Sequence, residues 1–145
     1  DAVPPHTDAV GPHHPLAVAA NTAVTTVLTS MPSLGFKPAA EAVLQLAIAA
    51  NGHLNDTAPW SRMKQPGKEA EVGDDLYAVL EATRIVGLLL NPLLPDLSNR
   101  ILEQLGTSIN PDGWTEQLSW GGLVSGASLP KPSPVMQRLE LEESL

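Results

Sequence analysis

Between Leu76 and Leu93 the apolar residues recur at helical spacing on two neighbouring stripes. Val79, Ala82, Val86, Leu89 and Leu93 make one, and Leu76, Leu80, Thr83, Gly87 and Leu90 make the other. A helix apolar over so wide an arc must be covered on most of its circumference. The chain is therefore predicted to be all-α, a helical bundle with this helix at its centre. The spacing places it from about Asp75 to Asn91, with Pro92 stopping it. Gly87 is expected to admit a neighbouring helix closely. Glu81 and Arg84 are expected to pair on the surface that remains, which is worth only ~0.2–0.5 kcal/mol. Asp74-Asp75 reads as a helix-start signal rather than an acid/base pair. Gln65-Pro-Gly67 and Val72-Gly-Asp-Asp75 bracket a polar connection before it.

Three further helices pack around this one in the reading. Pro15 opens the first, and Leu16, Ala20, Ala23, Val27 and Met31 keep its spacing. Its Thr-rich stretch has low helix propensity, so packing must hold it. The second starts near Pro38, with Val43, Leu46, Ala47, Ala50 and Leu54 on one face. Asn51-Gly52 weakens it near its end, and Asp56 or Thr57 is placed to cap a short turn carrying Ala58-Pro59-Trp60. Pro95 to Leu105 is the last of the longer helices, with Leu97, Ile101, Leu102 and Leu105 inward and Gly106 as its stop. A short turn follows at about Trp114 to Leu118. The rest is an irregular C-terminal segment packing back through Trp120, Leu123 and Leu129. The divisions expected are an extended, poorly ordered lead-in (1–15), a helical domain (16–139) and an acidic tail (140–145).

Composition narrows the function. Aromatic residues are only 3% of the chain, so the core must be Leu, Val, Ile and Ala. No cysteine is present, which rules out disulfides and Cys-ligated zinc. His6, His13 and His14 lie among prolines with no carboxylate at ligand spacing, and read as exposed loop histidines with no metal. No apolar run is long enough to span a bilayer. A formal charge of −8 argues against gripping duplex DNA along a basic face. There is no phosphate loop and no spaced nucleophile–base–acid set, so no catalytic residue is assigned.

What remains is recognition. Between Asp56 and Glu69 stand Arg62, Lys64 and Lys68 with no acidic residue, a small positive island. Unpaired RNA bases are read by stacking on an aromatic face and bonding their edges to polar side chains. Trp60, with its backbone fixed by Pro59, can supply the face. Asn51, His53 and Asn55 can supply edge contacts, and Arg62 and Lys64 can meet phosphate. The same residues admit a second reading, in which Trp60 packs over the end of the second helix.

The order of these segments resembles the anticodon-binding helical domain of class I aminoacyl-tRNA synthetases, the methionyl enzyme most closely. Asn51, Asp56, Ala58-Pro59-Trp60 and Lys64 match one family pattern, which departs here at His53 and Asn55. Leu80-Glu-Ala-Thr-Arg-Ile through Pro95 matches another, continued by Leu102-Glu-Gln-Leu-Gly106. Trp120-Gly121, Leu123, Gly126 and Arg138-Leu-Glu140 are similar to the family's closing stretch, with Met136-Gln137 replacing its usual Phe-Pro. The resemblance implies a tRNA(Met) anticodon loop as partner, with Trp60 stacking on its first base, a cytosine. It implies a catalytic domain in the same polypeptide that uses ATP and Mg; this chain needs no cofactor and should not aminoacylate alone. It places an earlier helix, bearing an Asn and an Arg that help read the base, before Asp1. It also implies the cytoplasm, or an organelle's stroma or matrix. The isoleucyl, valyl, leucyl and cysteinyl enzymes share the bundle, and a helical protein–protein adaptor would use Trp60 as a hot spot instead.

Overall fold

A computed structural model of the chain describes residues 2–133. Among them, the longer helices are α1 (Pro15–Ser30), α2 (Phe36–Thr57), α4 (Glu69–Leu90) and α5 (Pro95–Gln104). Two single α turns, α3 (Pro59–Arg62) and α6 (Trp114–Gln117), and two 3-10 turns, Asp8–Val10 and Met31–Ser33, join them, and no strand forms among the described residues. α1 and α2 pack on each other and on α4, and α5 covers a further side of α4. The bundle expected from the double stripe is thus present, with α4 inside it.

Local chemistry explains most boundaries. Pro15 starts α1 at its first position, and His14 Nδ1 accepts the amide of Leu16 as its cap. His14 is therefore a helix cap and not an exposed loop histidine. The Thr-rich stretch of α1 satisfies its own hydroxyls: Thr22 donates to Val18 O and Thr26 to Thr22 O. Its apolar face then seals it, with Leu16, Ala20, Ala23 and Val27 buried. At the α4–α5 crossing, a methyl on Gly87 would lie 3.0 Å from Ile101 Cγ2 and 3.1 Å from Leu102 Cδ2. The close approach expected of Gly87 is real. Ser98, buried there, donates to Gly87 O at 2.6 Å.

Several boundaries differ from the periodicity. α2 begins at Phe36 and continues unbroken through Asn51-Gly52 to Thr57. Asp56 and Thr57 do not cap the next turn; Thr57 Oγ1 donates back to His53 O instead. α4 begins at Glu69, so Val72–Asp75 is helix and not connection. Glu69 and Glu71 in its first turn complement the positive helix end that Asp74-Asp75 was expected to serve. Asp74 instead accepts from Thr7 N (2.6 Å) and Thr7 Oγ1 (2.7 Å). Gly73 is needed inside the helix because the lead-in crosses it: a methyl there would sit 2.7 Å from Pro5 O.

The lead-in is therefore anchored rather than poorly ordered. Val3 and Val10 are buried, and Val3 exchanges backbone bonds with Ala127 and Gly126. His6 stacks on Tyr77 at 3.8 Å between ring centroids. Tyr77 in turn donates to Leu123 O, and burial, with Glu81 second, pushes its hydroxyl up to about 12.

The largest departure concerns Glu81 and Arg84. Both were expected on the solvent face of α4, and both are buried. Arg84 Nε and Nη2 donate to the Glu81 carboxylate at 2.6–3.0 Å. Its other donors reach Gln117 O and Ser119 O at 2.6 and 2.7 Å. Glu81 accepts in addition from the amides of Gly121, Gly122 and Leu123. One helical pair thus nails the irregular C-terminal segment onto α4, with every charge compensated. Gly122 is obligatory in this arrangement, since a methyl on it would lie 2.5 Å from Arg84 Cζ. Trp114 and Trp120 anchor the same segment, donating to Leu88 O and Val10 O at 2.7 Å each. Met136-Gln137, Arg138-Leu-Glu140 and the acidic tail lie outside the described residues.

Candidate nucleic-acid interface

The candidate site is built at the corner where α2 hands over to α4. Helix α2 stops at Thr57, and Ala58 takes φ +42 and ψ +61, the left-handed region unusual for a residue with a side chain. Pro59 then starts α3 with its fixed φ and is itself buried. The chain reverses within this corner, and Trp60 comes out on its outer side with 56% of its surface exposed. More than half of its surface therefore faces solvent instead of the core. A large aromatic held on a fixed backbone and left wet is an unusual use of apolar surface. Met63, next along the chain, is exposed as well.

Asn51 and Asn55 stand four residues apart on the last turns of α2, both exposed, and so share one face beside the corner. His53 points elsewhere. It is half-buried, meets His14 edge-on at 5.1 Å, and its Nε2 lies 3.4 Å from Asp75 Oδ1. Burial first, and Arg62 against the opposing pull of Asp56, hold His53 below its ordinary range. Burial and then His53 do the same for His14, against Asp74. Burial thus favours the neutral form of both rings, and the contacts of the pair run between α1, α2 and α4.

The two cations assigned to phosphate behave differently. Lys64 is exposed and takes part in no ion pair among the described residues. Arg62 is turned inward, with 24% of its side chain exposed. Its Nε donates to Thr57 O at 2.8 Å, Nη1 reaches Glu71 Oε2 at 3.2 Å, and Nη2 pairs with Asp75 Oδ2. Lys68 is also drawn to Glu71, at 3.3 Å. The positive island seen in the sequence is thus partly neutralised by the first turns of α4, leaving Lys64 as its outward charge. Sequence spacing could not show this, because Glu71 and Asp75 were assigned to a connection and a helix start. The wrong start for α4 hid their common face.

No group of three or more His, Asp or Glu side chains among the described residues could hold a metal ion. None of the helices among the described residues is long and apolar enough to cross a membrane. A family model described as the anticodon binding domain of methionyl tRNA ligase matches residues 3–144. A methionine–tRNA ligase of Synechocystis is 36% identical over 91% of this chain and 26% of its own length. The chloroplastic/mitochondrial methionine–tRNA ligase of Arabidopsis thaliana is 38% identical over 78% of this chain and 19% of its own. Among solved structures, the free form of Mycobacterium tuberculosis methionyl-tRNA synthetase superposes with a TM-score of 0.82 at 26% identity. That match covers 97% of this chain and 28% of the other. The chain spans about a quarter or less of the relatives it matches.

Proposed function

Since the chain belongs to the family of anticodon-binding domains of methionyl-tRNA ligases, we propose that its corner reads the anticodon loop of tRNA(Met). The observation that carries this is Trp60: an indole residue 56% exposed, just past the end of a helix that carries exposed amides at Asn51 and Asn55. Trp60 stacks on the first anticodon base, a cytosine, with Pro59 fixing the backbone under it. Asn51 and Asn55 offer donors and acceptors to exposed base edges. Lys64 meets a loop phosphate, which adds affinity and no sequence preference. Arg62 has the same task in the sequence reading, but its guanidinium is turned inward onto Thr57 O, Glu71 and Asp75.

The overall acidity supports a loop over a duplex as target. A loop presents a few splayed bases to one aromatic face, whereas a duplex demands a continuous basic track. The proposal extends to the whole polypeptide. A catalytic domain outside this chain charges the tRNA with methionine, using ATP and Mg, in the cytoplasm or an organelle's stroma or matrix. No residue described here takes a chemical step.

The test is binding of the full-length protein to a panel of anticodon stem-loops. The CAU loop should bind best, and changing its first base should cost more than changing a stem pair. Equal binding to all loops would reject base reading. No RNA binding at all would leave the corner as a protein-contact surface.

A further inference from the structure

We propose that Arg62 is a positioning residue that aims Trp60, and not a phosphate contact; the inference rests on the reading of Trp60 given above. The corner needs such a device. Helix α3 is a single turn with no side-chain cap, too short to hold its own shape. Ala58 before it sits in a left-handed conformation that its methyl disfavours. Pro59 fixes one dihedral and fills a buried site, but it cannot decide how the turn is rotated against α2 and α4.

Arg62 makes that decision through one planar group. The Nε bond to Thr57 O, at 2.8 Å, closes a loop around Ala58, Pro59, Trp60 and Ser61. It joins the final residue of α2 to the final residue of α3 across the whole corner. The Nη1 contact to Glu71 and the Nη2 pair with Asp75 then fasten this loop to successive turns of α4. A guanidinium offers these donors in fixed directions, and an ammonium does not. Asp75 Oδ1 also lies 3.4 Å from His53 Nε2, without a hydrogen bond between them. The indole is carried on the segment so clamped, two residues before the clamp itself.

Electrostatics point the same way. A phosphate approaching Arg62 would meet Glu71, whose side chain is 55% exposed, and would have to replace Asp75, which is not. Lys64 carries no such guard.

The test uses the full-length protein labelled with 5-fluorotryptophan, the Trp60 resonance being identified by its loss in Trp60→Phe. Arg62→Met should shift or narrow that resonance and leave those of Trp114 and Trp120 in place. It should weaken binding of a CAU stem-loop about ten-fold, within the range that loss of one stacked base covers. The salt dependence of binding should stay unchanged. Arg62→Lys should fail in the same way, because it keeps the charge and loses the fork. In a Trp60→Ala background Arg62→Met should cost less than about two-fold more, since the two losses are one loss. If Arg62→Met unfolds the corner, Asp75→Asn with the same readouts takes its place. An unmoved Trp60 resonance overturns the proposal. So does normal binding by Arg62→Lys together with a salt slope about one lower in Arg62→Met, the signature of a phosphate contact. If the resonance moves while Trp60→Ala binds RNA normally, Arg62 positions Trp60 but the anticodon reading is wrong.

Discussion

Glu81–Arg84 and Asp75–Arg62 are both arginine–carboxylate junctions on α4, and both tie an irregular stretch of chain to it. The first has side chains 0% and 6% exposed and spends its remaining capacity on backbone groups of 117–123. The second is 17% and 24% exposed and shares its arginine with Glu71 and a helix-end carbonyl. A pair sealed from water is expensive to break, because the survivor is left as a buried charge. A pair nearer the surface costs less to break, since Glu71, 55% exposed, and the solvent beside it take up part of the lost pairing. The buried junction therefore determines whether the C-terminal segment folds. The rim junction can change where Trp60 points while the bundle stays intact.

Breaking the buried junction should give the largest effect. Arg84→Met or Glu81→Gln is expected to cost ~3–5 kcal/mol in denaturant unfolding. Loss of the near-ultraviolet signals of Trp114 and Trp120 should accompany it. A cost below about 1 kcal/mol would mean the buried pair is no different from the rim pair. Gly122→Ala attacks the same junction through space alone, placing a methyl against Arg84, and should cost ~1–3 kcal/mol. Arg62→Met should cost about 1 kcal/mol or less by the same measurement. A loss as large as that of Arg84→Met would erase the distinction between the two regions.

The smallest effect expected is a pH dependence around the rim junction. His14 and His53 are held below the ordinary value of 6.5, chiefly by burial. The unfolded chain then binds more protons than the folded one as pH falls below about 6.5, so stability falls with pH in that window. It is fully present above it. His14→Asn keeps a cap acceptor without a titrating ring, and should flatten part of this slope in melting curves between pH 7 and 5. A slope unchanged in both His14→Asn and His53→Gln would assign the dependence to carboxylates.

What was legible in the sequence follows the range of the interactions. The inward face of α1, Leu102 and Leu105 at the end of α5 and the close contact at Gly87 are matters of spacing within one helix, and they stand as read; Leu97 is only half-buried, and Ser98 takes the buried place beside it. Gly106 also stands, with φ +71 just past the end of α5. The start of α4 was misplaced because Gly73 looks like a break; only Pro5 crossing above it explains a glycine there. Glu81 and Arg84 looked like surface because their partners are backbone groups of 117–123, which carry no sequence signature. At the candidate site, the residues flanking the corner were legible from Ala58-Pro59-Trp60 itself. The inward turn of Arg62 was not, since it depends on Glu71 and Asp75 sharing a face of α4, which begins at Glu69 and not near Asp75.

In the proposed function, Trp60 is exposed for stacking and not for packing. Trp60→Ala in the full-length protein separates the two, by measuring CAU stem-loop affinity and melting temperature on the same samples. Loss of one stacked base predicts binding weaker by about five- to 150-fold, ~1–3 kcal/mol, with an unchanged melting temperature. Removal of a core tryptophan would instead cost ~3–5 kcal/mol of stability. Unaltered affinity in a folded variant, or a collapse in melting temperature, would contradict the account.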